Sequence, residues 1–384
     1  MSLTCQKHLF DLDPAVHYLN GAYMSPLLKT VEEAGIRGLQ RKRRPETIGP
    51  RDFFTDTERL RTLFADLVHA ASADEVAIIP SASYGMAVIA KNFRARRGQK
   101  IIVAEAQFPS NVYPWMVLAA ENDLDFQTVR MPAEQNGRSR LWNEQLLDAI
   151  DDRTAMVALG QIHWANGTRF DLAKITEKTH RHGGVVVVDG TQSVGALPMD
   201  VRQSGIDALV CAAYKWLMGP YQLGYAWFSP AFLEGRPLEE NWINRLYSED
   251  FARLIDYQSA YQPGARRFDA GERSNFINVP MGIAALEQIL AWEPERIQAY
   301  CRTLMSTAIP LWQDRGYRIE EAGGRAAHLF GIQAPEGLKM NDLQQKLQNR
   351  HIVVSVRGDF IRISLNVYND EADVAALTEV LLEG

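Results

Sequence analysis

Cysteine is scarce in this chain. Cys5, Cys211 and Cys301 are the only three among 384 residues, and they lie far apart without the spacing of metal ligands. That argues against a disulfide framework and a zinc site, and predicts a reducing compartment. Long apolar runs are missing too: none approaches the roughly 18–20 residues that a membrane span needs. The segment from Met1 to Asn20 carries acids and lacks an apolar core, so no signal peptide is predicted and the cytoplasm is the expected location. There is no excess of positive charge. A formal net charge of -6 gives no electrostatic basis for binding nucleic acid or an anionic membrane surface. The one basic run, Arg41 to Arg44, stops at Pro45 without interleaved aromatics and reads as a solvated helix end or loop. Internal repeats and low-complexity segments are absent.

What is present is a large folded core. With 46% hydrophobic and 23% charged residues the composition is that of a globular protein, and the length allows two lobes. Leu60, Leu63, Phe64, Leu67 and Val68 recur at helical spacing and predict a helix over Glu58 to Val68. Short apolar runs then alternate with helical patterns: Val76–Ile79, Ile101–Val103, Ala155–Leu159, Val185–Val188, Ala208–Cys211 and Leu223–Phe228. Continuous apolar, often β-branched runs bounded by Gly, Pro or Asp suit strands buried on both faces, and the alternation implies crossovers and a mainly parallel sheet. The texture changes near residue 282. A helix through Ile283 and Leu290 is followed by strands at His328–Ile332, Ile352–Val356 and Ile361–Leu365, with helices at Asn341–Asn349 and from Glu371. The expected fold is α/β, with a large domain over 26–282 and a smaller α/β domain from 1–25 and 283–384.

In a parallel sheet, ligands sit beyond the carboxyl ends of the strands. Four such positions carry chemistry. Asp189 follows four valines, where a carboxylate loses solvation unless a cation faces it. Taken alone, it could as well be a cap for the next helix, and a second reading is the acidic residue that binds an NAD ribose. The NAD alternative needs a G-x-G-x-x-G turn about 20 residues upstream, after a strand, whereas Gly183 and Gly184 precede theirs. Lys215, between Tyr214 and Trp216 just past a buried strand, is placed to lose its proton and act as a nucleophile, or else to snorkel toward water. Pro80 to Met86 leads from a strand into a helix and offers free N–H groups to an anion, although a plain cap by Ser81 or Ser83 would look the same. Arg362 alternates with apolar neighbours on a strand, suited to a carboxylate ligand or to a structural ion pair. An anion cradle, an activated lysine, a buried carboxylate and an arginine together are the set that pyridoxal-phosphate (PLP) chemistry requires.

At these residues the sequence resembles the class V aminotransferase family of fold-type-I PLP enzymes, which includes cysteine desulfurases, kynureninases and isopenicillin N epimerase-like proteins. The resemblance runs from Tyr18 to about Asn369. Its strongest carriers are the apolar run ending in Asp189 and Gln192, and Tyr214-Lys215 followed by Gly219-Pro220. It implies that Lys215 is the Schiff-base lysine, Asp189 the partner of the pyridine nitrogen, and Gln192 the donor to the ring's phenolic oxygen. Ala82 and Ser83 fall where the family grips the phosphate, Tyr214 at a phosphate-contacting position, and Phe108 where relatives stack a ring on the cofactor face. Arg362 matches the substrate-carboxylate arginine. Arg267 to Asn275, with Ser274, resembles a segment that reaches the other subunit's phosphate, so a homodimer is implied. Trp164 stands near where relatives place an Asn against the ring or substrate, and Ala212 replaces a family Ser.

Cysteine desulfurases carry a nucleophilic Cys shortly before the arginine, and Asn349 to Ile361 holds none. A persulfide-forming desulfurase is therefore disfavoured. Cys211 reads as core packing, and His163 as a base or, more simply, a structural histidine. The expected activity is chemistry at Cα of an amino-acid substrate, with transamination first and a lyase or epimerase as the alternative. An NAD-linked oxidoreductase and a non-catalytic binding protein on the same fold are remoter readings.

Overall fold

The computed structural model describes residues 3–133, 137–357 and 360–383. A two-residue strand, β1 (His17–Tyr18), precedes the large sheet. That sheet is built from β2 (Val76–Ile79), β3 (Lys100–Ala104), β4 (Asp125–Val129), β5 (Thr154–Gly160), β6 (Val185–Asp189), β7 (Ala208–Ala212) and β8 (Gly224–Phe228), in the order β2-β8-β7-β6-β5-β3-β4. β8 runs antiparallel to both of its neighbours, and every other pairing is parallel.

The valine run of β6 shows why the sheet needs continuous apolar sequence. Val186 and Val188 pack into a core on one face with Leu209, Cys211, Val157 and Leu159, while Val187 packs on the other with Val210, Ala158 and Val103. Successive side chains point to opposite faces, so a strand covered on both sides has no position for a polar residue until it ends. β6 ends at Asp189. Helices Thr55–Leu67, Leu172–Arg181 and Asn278–Trp292 supply one apolar layer, and Ala82–Asn92 and Tyr113–Glu121 the other.

The six apolar runs expected as strands all form, and a seventh, β4, joins them at the edge. Its sequence, Asp125-Phe126-Gln127-Thr128-Val129, is mostly exposed or half-buried, and an edge strand with one neighbour can tolerate that polarity. The C-terminal part holds β9 (Arg318–Ile319), β10 (Leu329–Gln333), β11 (Ile352–Val353), β12 (Ser355–Arg357) and β13 (Phe360–Ser364). β12-β13-β10-β9 form an antiparallel sheet, and β11 leaves it to pair with β1. The single strand expected over Ile352–Val356 is thus two strands in different sheets, divided at Val354. Two helices, Pro294–Met305 and Ala308–Asp314, were not legible as separate elements. A third core joins Phe10, Leu19, Leu28 and Val31 to Leu329, Ile363, Leu377 and Val380. Residue 282 lies inside helix Asn278–Trp292, which contributes Val279 and Ile289 to a core of the large sheet and Ala285 and Trp292 to this third one.

Candidate active site

One cavity of about 520 Å³ opens at the carboxyl ends of the parallel strands. Ala82, Ser83, Phe108, Trp164, Asp189, Gln192, Tyr214 and Lys215 all line it. Strand ends and the turns after them bring these residues together across more than 130 positions of sequence.

The anion end is the start of helix Ala82–Asn92. Ser81 is its cap: Ser81 Oγ accepts from Tyr84 N at 3.2 Å and lies 3.0 Å from Ser83 Oγ. Tyr84 and Gly85 thereby have their N–H groups satisfied, by Ser81 Oγ and Ser81 O. Ala82 and Ser83 are the first two helical residues, where N–H groups have no partner inside the helix and the helix dipole favours negative charge. Cap and cradle, which the sequence left as alternatives, coexist.

Lys215 is 6% exposed, with its amine 5.3 Å from the centre of the Phe108 ring and 5.4 Å from that of Tyr214. It makes no hydrogen bond or ion pair among the described residues. Burial lowers its pKa to about 8; Asp189 opposes that, while Arg362 and Arg357 add to it. Asp189 is the mirror case. Its carboxylate accepts Thr191 N at 3.0 Å, yet burial holds it above the ordinary carboxylate range, against the pull of Thr191 and Lys215. No cation is paired with it among the described residues. A half-buried carboxylate on the cavity wall without a cation and a buried amine without an anion are both incomplete.

Gln192 Oε1 accepts from Trp216 Nε1 at 2.9 Å, and Nε2 donates to Ala22 O at 3.2 Å, which leaves one N–H of that amide for a ligand. Phe108 meets Trp164 edge-to-face at 5.6 Å. Arg362 is outside the cavity lining but adjoins it: 2% exposed, it donates to Trp164 O at 2.9 Å and to Ser355 Oγ at 3.3 Å. Burial, with Arg357 next, lowers its pKa to about 10. Ser274 is not brought to this cavity; its hydroxyl donates to Phe53 O.

His163 is buried with Nδ1 at 3.1 Å from Asn166 Oδ1 and Nε2 at 3.1 Å from Glu105 O, and burial lowers its pKa to about 4. It is a neutral packing group. Cys211 is fully buried and burial pushes its thiol well up, so no thiolate is available there. No cysteine lines the cavity. Of the segment Asn349 to Ile361, Gly358 and Asp359 lie outside the described residues, and neither is a cysteine. Among the described residues there is no cluster of metal-ligating side chains and no helix long and apolar enough to cross a membrane.

Sequence reasoning missed Thr191, Ser110, Tyr221 and Gln222, which also line the cavity. Thr191 Oγ1 accepts from Ala212 N, and Thr191 N braces Asp189. Gln222 has φ 65, a left-handed conformation that such residues keep only where surrounding structure holds it. Thr191 had a sequence signal, its place between Asp189 and Gln192. Tyr221 and Gln222 had none.

The sequence profile of the aminotransferase class-V family matches residues 50–377. The chain belongs to the class V aminotransferase family. It is accordingly a PLP-dependent enzyme with the fold-type-I architecture. An uncharacterized aminotransferase of Bacillus subtilis, YcbU, is 26% identical over 83% of this chain and 81% of its own length. A cysteine desulfurase of Synechococcus elongatus is 30% identical over 77% of this chain, which spans only 46% of that protein. Solved structures of similar shape include the Escherichia coli cysteine desulfurase CsdA (TM-score 0.80, 21% identity, 98% of this chain and 97% of that one). Another is the cystine C-S lyase C-DES (TM-score 0.82, 20% identity, 95% and 97%). The incomplete groups of the cavity fit the cofactor: free N–H groups for a phosphate, a carboxylate without its cation, an amine without a partner, and an aromatic face.

Proposed function

We propose that the enzyme acts at Cα of an amino acid and that its reaction is transamination. The observation that carries this reading is the pairing, in one cavity, of the unpartnered Lys215 amine with the uncompensated Asp189 carboxylate. When bound, PLP supplies an aldehyde for an amine and an electron-poor ring that takes up charge from Cα. In this reading Lys215 holds the aldehyde, Asp189 keeps the ring nitrogen protonated, and Gln192 donates to the phenolic oxygen. Ala82 and Ser83 hold the phosphate with Tyr214 beside them. Phe108 covers the ring, Trp164 bounds the substrate side, and Arg362 takes the substrate carboxylate. Lys215, once displaced by the substrate amine, is a neutral base beside Cα and removes its proton. For transamination Lys215 would carry this proton from Cα to the cofactor side of the site, and water would then hydrolyse the carbon–nitrogen bond to release the oxo acid.

A lyase or epimerase is the second reading, supported by the use of the same Lys215 and Asp189 and by the likeness to a cystine lyase. A desulfurase that carries its persulfide on a cysteine is not supported, because no thiol lines the cavity. The same reading makes the chain a homodimer. Ser274 then acts from the segment Arg267–Asn275 toward the second copy's site. It also divides the lobes as 26–282 against 1–25 with 283–384, and takes the cytoplasm as the location.

Two measurements test this. Borohydride reduction followed by peptide mass mapping is expected to fix the cofactor on Lys215 and on no other lysine. A single addition of substrate without an amino acceptor is expected to release one oxo acid per site and no ammonia. Continued ammonia release would move the assignment to a lyase.

A further inference from the structure

The small antiparallel sheet carries a second arginine beside the cavity. β12 and β13 pair with Ser355 opposite Arg362 and Arg357 opposite Phe360. Side chains two apart on a strand share a face, so Arg357, Ser355, Phe360 and Arg362 stand together. Diagonal partners such as Arg357 and Arg362 have Cα atoms about 7–8 Å apart in such a ladder. Both face Trp164. Arg362 donates to its carbonyl, and the Arg357 guanidinium lies 5.6 Å from the centre of its ring. Trp164 in turn lines the cavity.

Neither guanidinium meets an anion among the described residues. Arg357 donates to Val356 O, its own neighbour, and Arg362 to Trp164 O and Ser355 Oγ, while Arg362 Nε is buried without a partner. The contact with Trp164 steadies Arg357 but neutralises no charge. Two adjacent cations repel; Arg362 is buried and Arg357 half-buried, so solvent screens the pair only in part and an anion is favoured there. One carboxylate satisfies one planar fork. A monocarboxylate would leave the other cation uncompensated.

We propose that Arg357 is a specificity residue and that, with Arg362, it selects a dicarboxylate: the α-carboxylate on Arg362 and a side-chain carboxylate on Arg357. The proposal rests on the functional reading above and narrows its substrate class. The dicarboxylate is either the amino donor or the oxo-acid acceptor, since both present the same two anions.

The holoenzyme is tested with aspartate and glutamate against alanine and leucine as donors, and with 2-oxoglutarate and oxaloacetate against pyruvate as acceptors. A preference for the dianionic partner in either arm supports the proposal and names its source. In Arg357→Gln and Arg357→Met, the ratio of kcat/KM for dianionic over monoanionic substrates is expected to fall by about 10- to 150-fold, the loss of one charge-assisted pair. Wild-type enzyme that favours monocarboxylates in both arms would overturn the proposal, as would a ratio unchanged in either folded variant. The wild-type comparison decides even if both variants fail to fold. If no amino acid or oxo acid alters the cofactor's absorption, the functional reading itself falls and takes this inference with it.

Discussion

Lys215 is expected to react as a neutral amine far below the range of ordinary lysine. Burial is the main cause of its pKa of about 8 against a usual 10.5, with Arg362 and Arg357 pushing the same way and Asp189 opposing. At pH 7 such an amine is about 9% neutral and an ordinary lysine about 0.03%, so the reactive form is enriched roughly 300-fold. The same difference enters stability. Between pH 8 and 10.5 the unfolded chain keeps a proton on Lys215 that the folded, cofactor-free protein has released. Stability from this group therefore rises with pH across that window, by roughly 3 kcal/mol at its upper end. The assay is competitive acetylation of cofactor-free protein from pH 6 to 11, with peptide masses comparing Lys215 to exposed lysines. A midpoint near 8 is expected for Lys215. Charge substitutions give the sign: Asp189→Asn removes the group that raises the pKa and moves the midpoint down, while Arg362→Gln removes one that lowers it and moves it up. A wild-type midpoint near 10.5, or both variants moving in one direction, would refute the reasoning.

Three further outcomes are expected. Ala82→Pro removes one N–H of the anion cradle at a position where proline suits a helix, after an extended Ser81 (φ -163, ψ 159). PLP affinity is expected to fall about tenfold with little change in Tm, as equilibrium titration and calorimetry would register. Gly85→Ala would place a Cβ 2.8 Å from Val210 Cγ1 and 2.9 Å from Ile79 Cδ1, wedging the helix off the sheet at a cost of about 1–3 kcal/mol, read by denaturant unfolding. Asp269→Leu would strip the fully buried carboxylate that holds Arg61 Nη2 at 2.6 Å, Arg273 Nη1 at 3.1 Å and Ile78 N at 2.7 Å. Arg273 would then lose its ion pair and Arg61 would keep only the 3.4 Å contact of its Nε with Glu58, so a loss of about 3–5 kcal/mol in urea unfolding is expected.

Much of the molecule was legible because burial on two faces leaves a plain mark. Val185 to Val188 could be little other than a central strand, and Asp189 at its end, with Gln192, Tyr214 and Lys215, was recognisable as site chemistry from order and spacing. Elements with one exposed face were harder. β4 alternates weakly because only one edge and part of one face are covered, and Val354 gives no sign that the chain changes sheets there.

The sequence by itself thus determined the mainly parallel sheet and the family, and singled out Asp189 and Lys215 at strand ends and Arg362 within a strand, since these follow from local pattern and residue chemistry. Only the tertiary structure decided that Ser81 caps the helix while Ala82 and Ser83 keep their N–H groups free, and that His163 is a buried, neutral packing residue. It alone brought Arg357 onto the face of Arg362, above Trp164. Register across an antiparallel pair is a relation between two strands, and no single stretch of chain records it.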